Sequence, residues 1–181
     1  MTTKRDLIVV DVETTGLLAH HAILEVAAVN VETGAYMHFA PFVTATDLGA
    51  ADGDAMRINR YYERGVYRNV VPSVETPARW IELQDMLSGQ TFAGSNPRFD
   101  ADRIGQALNN YGADVEPWHH RLADLSAYAA GALGISPAEL PGLAEICKRL
   151  EVDPGVAHSA LDDAKATAEC FRRLIALRGA A

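Results

Sequence analysis

An almost unbroken β-branched run, Leu7 to Val12, opens the stretch IVVDVETTGL and limits the fold more than any other segment. Such a run reads as a central strand buried on both faces. Side chains two apart on a strand share a face, so Asp11 and Glu13 stand side by side at its end. Two carboxylates that close repel, and one keeps its proton unless something positive intervenes. A D-x-E triplet is common, and two solvated residues at a strand end are the bland alternative. Against that, an apolar strand leads into the pair and the sharp Gly-containing turn TTG follows. Sites tend to sit at such strand ends.

The rest of the chain alternates. Ile23 to Val31 reads as a second strand, ETG (Glu32 to Gly34) as a turn, and AYMHF as a third strand. Asp47 to Asp54 reads as a loop rich in Ala, Gly and Asp. A helix is expected from Thr76 to Leu87, with Trp80, Ile81, Gln84 and Leu87 at helical spacing, then a short strand QTFAGS, Gln90 to Ser95. A helix from about Asp100 to Tyr111 follows, then a strand WHHRLAD (Trp118 to Asp124) and helices over Leu125–Leu133, Leu143–Leu150 and Ser159–Leu177. Three strands on short links suggest an antiparallel meander. Alternation after them suits a mixed sheet flanked by helices, an α/β architecture.

The 181 residues suit one domain, 1–181, with a sizeable core. No apolar run reaches the ~18 residues of a membrane span and no signal peptide is evident, so the expectation is a cytoplasmic protein without a membrane partner. A net charge of −8 argues against coating long nucleic acid by bulk charge. It leaves room for an enzyme gripping a few nucleotides through metal ions and a local basic patch. Cys147 and Cys170 read as buried free thiols.

Two further segments supply carboxylates. In NPRFDADRIGQAL, Asp100 shares a helix face with Ile104, Ala107 and Leu108, whereas Asp102 shares one with Gly105, Gln106 and Asn109. Asp100 therefore points toward the sheet; taken alone, it fits equally an N-terminal helix residue favoured by the dipole. In HSALDDAKATAECFRRL the same test turns Asp163 inward and Asp162 toward water. Ser159 is a plausible N-cap, which leaves His158 just outside the helix and near Asp163.

Inward carboxylates from a strand and two helices are costly unless paired, and periodicity reveals no inward Lys or Arg. Divalent cations are the simplest compensation, and hard oxygen ligands suit Mg²⁺ or Mn²⁺. Two such ions about 4 Å apart stabilise the attacking and leaving oxygens of phosphodiester cleavage. A nearby His can take a proton from the attacking water.

Together DVETTGL at Asp11, NPRFDADRI around Asp100 and HSALDDA with His158 five residues before Asp163 resemble the DEDD superfamily of 3′→5′ exonucleases, in its His-containing branch. Proofreading subunits of bacterial replicative polymerases, ribonuclease T and oligoribonuclease belong to it. The resemblance runs from about Leu7 to Leu174. It implies a ribonuclease-H-like fold, a mixed five-stranded sheet with the first three strands antiparallel. It implies that Asp11, Glu13, Asp100 and Asp163 bind two metal ions and that His158 is the general base. Thr14, Thr15, Gly16 and Leu17 would line the pocket for the terminal nucleotide, with Leu17 on its base. Asn96 and Phe99 fit the second motif as substrate contacts. The substrate would be the 3′ end of single-stranded DNA or RNA and the products nucleoside 5′-monophosphates.

AMRINRYYERGVYR, Ala55 to Arg68, interleaves Arg57, Arg60, Arg64 and Arg68 with Tyr61, Tyr62 and Tyr67. Arginines that pair with phosphates beside tyrosines that stack on bases is one reading; a solvated amphipathic helix is the other. In the family this position resembles an A-x-I-N-G pattern beside the substrate. Arg60 stands in place of the glycine, and Ile58, Asn59 and Tyr61 are further substrate-binding candidates. His119 and His120 lack a carboxylate at metal-ligand spacing and read as strand residues; His20 and His21 receive no role. A polymerase or a second copy of the chain is a possible partner. The rival functions are a ribonuclease-H-type endonuclease with two metals and a non-catalytic nucleic-acid- or polymerase-binding module.

Overall fold

A computed structural model describes residues 4–179. Its strands are β1 (Leu7–Thr14), β2 (Ile23–Asn30), β3 (Tyr36–Phe39), β4 (Thr91–Gly94) and β5 (Ala123–Asp124), in one sheet of order β3-β2-β1-β4-β5. The first three are antiparallel, and β4 and β5 run parallel to β1. The helices are α1 (Ala45–Gly49), α2 (Gly53–Asn59), α3 (Thr76–Leu87), α4 (Pro97–Asn110), α5 (Leu125–Leu133), α6 (Leu143–Leu150) and α7 (Ala160–Gly179). This is the mixed sheet flanked by helices expected from the sequence.

The period of two along β1 divides the core. Ile8, Val10 and Val12 pack with Trp80, Leu83 and Leu87 of α3 and Ile104 and Leu108 of α4. Val9 faces the other way, onto Leu125, Ile146, Ala164, Ala168 and Phe171 of α5, α6 and α7. Each fully buried Val, Leu or Ile side chain contributes about 1.5–3 kcal/mol. Asp11 and Glu13 continue the Val9 face, so the packing of α7 on β1 delivers Asp163 to them.

β4 pairs with β1 only from Leu7 to Val9. Beyond that point no strand among the described residues pairs with β1 on that side, and the sheet opens. On the other side β2 continues to the end, with Glu13 opposite Glu25 and a register shift between Glu13 and Thr14. Leu24, beside the shift, enters a small third core with Ala40, Tyr61 and Val66.

Several expectations are corrected. The segment 47–54 is not a loop: it carries the end of α1 and the start of α2. Thr44 and Asp47 form a reciprocal capping box for α1, and Asp52 caps α2 by accepting from Asp54 N–H at 2.8 Å. α4 begins at Pro97, before Asp100, because a proline at the first helical position lacks only an N–H that has no helical partner there. Trp118 to Leu122 is not strand. The chain stays beside β4 through His119 N–H to Gln90 O at 2.8 Å, but ladder pairing starts only at Ala123, so His119 and His120 lie in a loop. In α3 the buried stripe is Trp80, Leu83 and Leu87, while Ile81 is exposed. The two buried cysteines bring their sulfurs within 3.7 Å of one another across α6 and α7.

Candidate active site

The open end of β1 is where the sequence-selected carboxylates meet. Asp11 and Glu13 come from β1, Asp100 from the first turn of α4 and Asp163 from the first turn of α7. All four line one cavity of about 500 Å³ together with His158. Asp100 is 6% exposed, and its Oδ1 accepts the Val12 N–H at 3.1 Å, on the side β4 has vacated. Asp102 points outward and pairs with Arg98 at 2.9 Å. Asp163 Oδ2 accepts the His158 N–H at 3.0 Å. Glu13, His158 and Asp163 each present a ligand atom, all within 4.8 Å of one another. Asp162 turns away, accepting the Val156 N–H at 3.2 Å and packing beneath Gly155.

The electrostatics of this cluster are unfavourable for the bare protein. Burial, then the charges of Asp100, Glu13 and Asp163, drive the Asp11 carboxyl far above the usual range. Burial and the neighbouring Asp163 and Glu25 push Glu13 up to about 8, with Arg64 opposing. Burial raises Asp100 to about 7 against the Val12 N–H. Burial also raises Asp163, opposed by the N–H and ring of His158. Four converging carboxylates with few compensating cations form a hard oxygen donor set that fits divalent cations, with one exposed imidazole beside it.

The walls of the cavity separate contacts from supports. Leu17 is 79% exposed, and Gly16, Ile58, Asn96 and Phe99 also line the cavity. Thr14 lines it too, while its hydroxyl donates to Gly16 O at 2.8 Å. Thr15 does not line the cavity and stands behind it as a buried brace. Its N–H donates to Ala22 O and its hydroxyl accepts the Ala22 N–H, and its carbonyl accepts the Asp52 N–H. Asn59 reaches the cavity, but its amide donates to Thr14 O at 3.0 Å and accepts the Tyr61 N–H. Tyr61 does not line the cavity: at 2% exposure it packs in the third core.

Three charged residues and two histidines have contacts the sequence reading did not assign. The expectation of no inward cation fails at Arg64 and Arg103. Arg64 pairs with buried Glu25, which His38 Nε2 also meets at 2.8 Å. Arg103, 6% exposed, donates to Leu17 O at 2.6 Å and stacks over the Phe99 ring, so it braces both apolar walls. His21 accepts the Leu18 N–H at 3.1 Å, and its ring lies where a side chain at Gly16 would be, 2.3 Å from an added Cβ. Glu25 could have been found: a lone carboxylate inside the apolar run ILEVAAV demands a partner.

The Ala55–Arg68 segment matches neither simple reading. α2 ends at Arg60, which adopts the left-handed conformation (φ 52°) natural to the glycine it replaces. Arg57 pairs with Asp54, and Arg68 donates to the Tyr67 hydroxyl. Tyr62 and Tyr67 remain exposed.

Comparison with known proteins gives a consistent picture. The exonuclease family of RNase T matches residues 8–171. No curated protein matches the chain. Among solved structures, the zinc-bound complex of E. coli exonuclease I with single-stranded DNA has a TM-score of 0.72 at 20% identity, covering 97% of this chain and 41% of its own. The nuclease domain of 3′hExo, a DEDDh family member bound to rAMP, has a TM-score of 0.69 at 14% identity, covering 97% and 94%. A 3′-exonuclease recognising the histone mRNA stem-loop has a TM-score of 0.70 at 13% identity, covering 98% and 65%. These likenesses show the fold, and the chain spans about two fifths of the length of exonuclease I. Among the described residues no helix is long and apolar enough to cross a membrane. With the family match running from β1 into α7, this chain belongs to the RNase T exonuclease family.

Proposed function

We propose that residues 1–181 act as one exonuclease domain that removes nucleoside 5′-monophosphates from the 3′ end of single-stranded DNA or RNA. The observation that carries this reading is the meeting of Asp11, Glu13, Asp100 and Asp163 with the exposed His158 at one end of an apolar-walled cavity. The four carboxylates would hold divalent ions, Mg²⁺ or Mn²⁺, two in number. When bound, such ions polarise the phosphodiester and lower the pKa of water.

The side chains do the remaining work. Leu17 and Phe99, braced by Arg103, offer apolar faces to the terminal base, and Ile58 adds a third apolar side chain to the lining. This orients the last phosphodiester toward the carboxylates. His158 is solvent-accessible and accepts the proton of the attacking water at a ring nitrogen, then releases it to solvent. The new bond is from water oxygen to phosphorus. The P–O3′ bond breaks and the departing O3′ takes a proton from solvent, which leaves a 3′-hydroxyl on the shortened strand and the phosphate on the released nucleotide.

The test uses one oligonucleotide sequence, as DNA and as RNA, labelled at the 5′ end and incubated with Mg²⁺, Mn²⁺ or EDTA. A metal-dependent ladder shortening from the 3′ end is expected, and the faster substrate defines the preference. Internal cuts would indicate an endonuclease. Binding without cleavage would indicate a non-catalytic module.

A further inference from the structure

We infer that Arg64 is a positioning residue for His158, tying the backbone of the histidine to the buried Glu25 of β2. The inference rests on the reading of His158 as the general base.

His158 needs holding. Its backbone is left-handed, with φ at 59°. For a residue with a Cβ this conformation costs roughly 1–2 kcal/mol and persists only where the surroundings fix it. The His158 N–H is fixed by Asp163 Oδ2, at 3.0 Å. Its carbonyl accepts Arg64 Nη1 at 2.6 Å. Both polar backbone groups are therefore clamped while the ring stays exposed. Without the second clamp, the peptide could rotate about its remaining bond to Asp163, and the ring would leave the neighbourhood of Glu13.

Arg64 is itself anchored. Its Nη2 pairs with Glu25 Oε2, and the side chain is 12% exposed. Glu25 is held on its other oxygen by His38 and stands directly across the β1–β2 ladder from Glu13. The backbone around Arg64 is fixed as well. Its N–H donates to Arg60 O at 2.8 Å, and Tyr61, three residues back, is locked between Leu24, Ala40 and Val66. The position of the sheet is thus transmitted to the loop before α7 through one guanidinium. A planar fork can serve a carboxylate and a carbonyl together; a lysine ammonium on a flexible stem holds that geometry poorly. Of the four arginines between Ala55 and Arg68, this one joins a buried carboxylate to a backbone carbonyl at the site.

Removing Arg64 alone would leave the buried Glu25 with His38 but without its guanidinium partner, which is strongly destabilising. The informative pair is therefore Glu25→Gln and the double variant Glu25→Gln/Arg64→Met. The first keeps the link to His158; the second removes both charges and the link. We expect both to fold, the single variant melting lower than the double because Arg64 then keeps only an amide oxygen in place of its carboxylate. The single variant should keep kcat within a few-fold, and the double should lose kcat about 10²-fold with KM little changed, as for a misplaced catalytic group. Amide exchange over residues 156–159 should rise only in the double variant. Adding Arg64→Met to a Glu25→Gln/His158→Ala background should cost nothing further, because the group it positions is gone. Raised KM with intact kcat would overturn the inference in favour of a substrate contact, and an additive loss would overturn it in favour of a role elsewhere. Full activity of His158→Ala alone would instead remove the general-base reading and this inference with it. Arg64→Lys covers the case in which the double variant does not fold. It keeps the charge beside Glu25, and a partial fall in kcat is expected; full kcat would overturn the inference.

Discussion

The two halves of β1 show how one strand serves opposite ends. From Leu7 to Val10 it is apolar, paired by β2 on one side and by β4 as far as Val9, and covered by helices on both faces. From Asp11 to Thr14 it has lost β4 and gathers carboxylates from two helices. The first half contributes stability by hydrophobic burial. The second costs stability, since burial and mutual repulsion hold its carboxyls above their ordinary range. The open end of the sheet makes the site possible: the Val12 N–H that a longer β4 would have occupied instead receives Asp100.

This contrast can be broken most sharply at Asp163. Asp163→Asn should bring turnover below detection in an oligonucleotide assay. In EDTA the variant should melt no lower than the parent, because it removes charge from a repulsive cluster. A core position in the other half should behave in reverse. Ile8→Ala empties a fully buried site and should cost about 2–5 kcal/mol in urea unfolding, while metal-saturated kcat in the folded fraction stays unchanged.

Acidity sharpens the comparison further. The Glu13 carboxyl is raised in the folded state from 4.5 to about 8, and Asp100 from 3.8 to about 7. Between these limits the folded protein binds more protons than the unfolded chain, so stability falls as pH rises. In EDTA the melting temperature should therefore be higher at pH 5 than at pH 8. Mg²⁺ should shrink that difference by neutralising the cluster. The smallest effect is expected at Asp162→Asn. An amide oxygen can still accept the Val156 N–H, so turnover and stability should both stay close to the parent.

Much of this contrast is legible in the sequence, because it rests on short periods. Alternation along β1 put Asp11 and Glu13 on one face, and helical spacing chose Asp100 over Asp102 and Asp163 over Asp162. The capping signals Thr44–Asp47 and Asp52 were equally local, though the Gly- and Ala-rich composition between them reads as loop. What stayed hidden depends on register and on turns. Glu25 meets Glu13 only through the β1–β2 pairing, and Arg64 reaches it from beyond a left-handed residue, where no helical period continues. Arg103 sits on the same helix as Asp100, but its partner is a carbonyl in the loop after β1, and carbonyls leave no mark in a sequence.

The most direct measurement is Mn²⁺ binding followed by electron paramagnetic resonance in the parent chain and in Asp11→Asn, with unfolding monitored in parallel. Cation binding by the carboxylates at the end of β1 predicts two ions per parent chain, raised melting temperature on binding, and loss of both effects in the variant. Binding that survives unchanged in Asp11→Asn, or no binding to the folded parent, would contradict it.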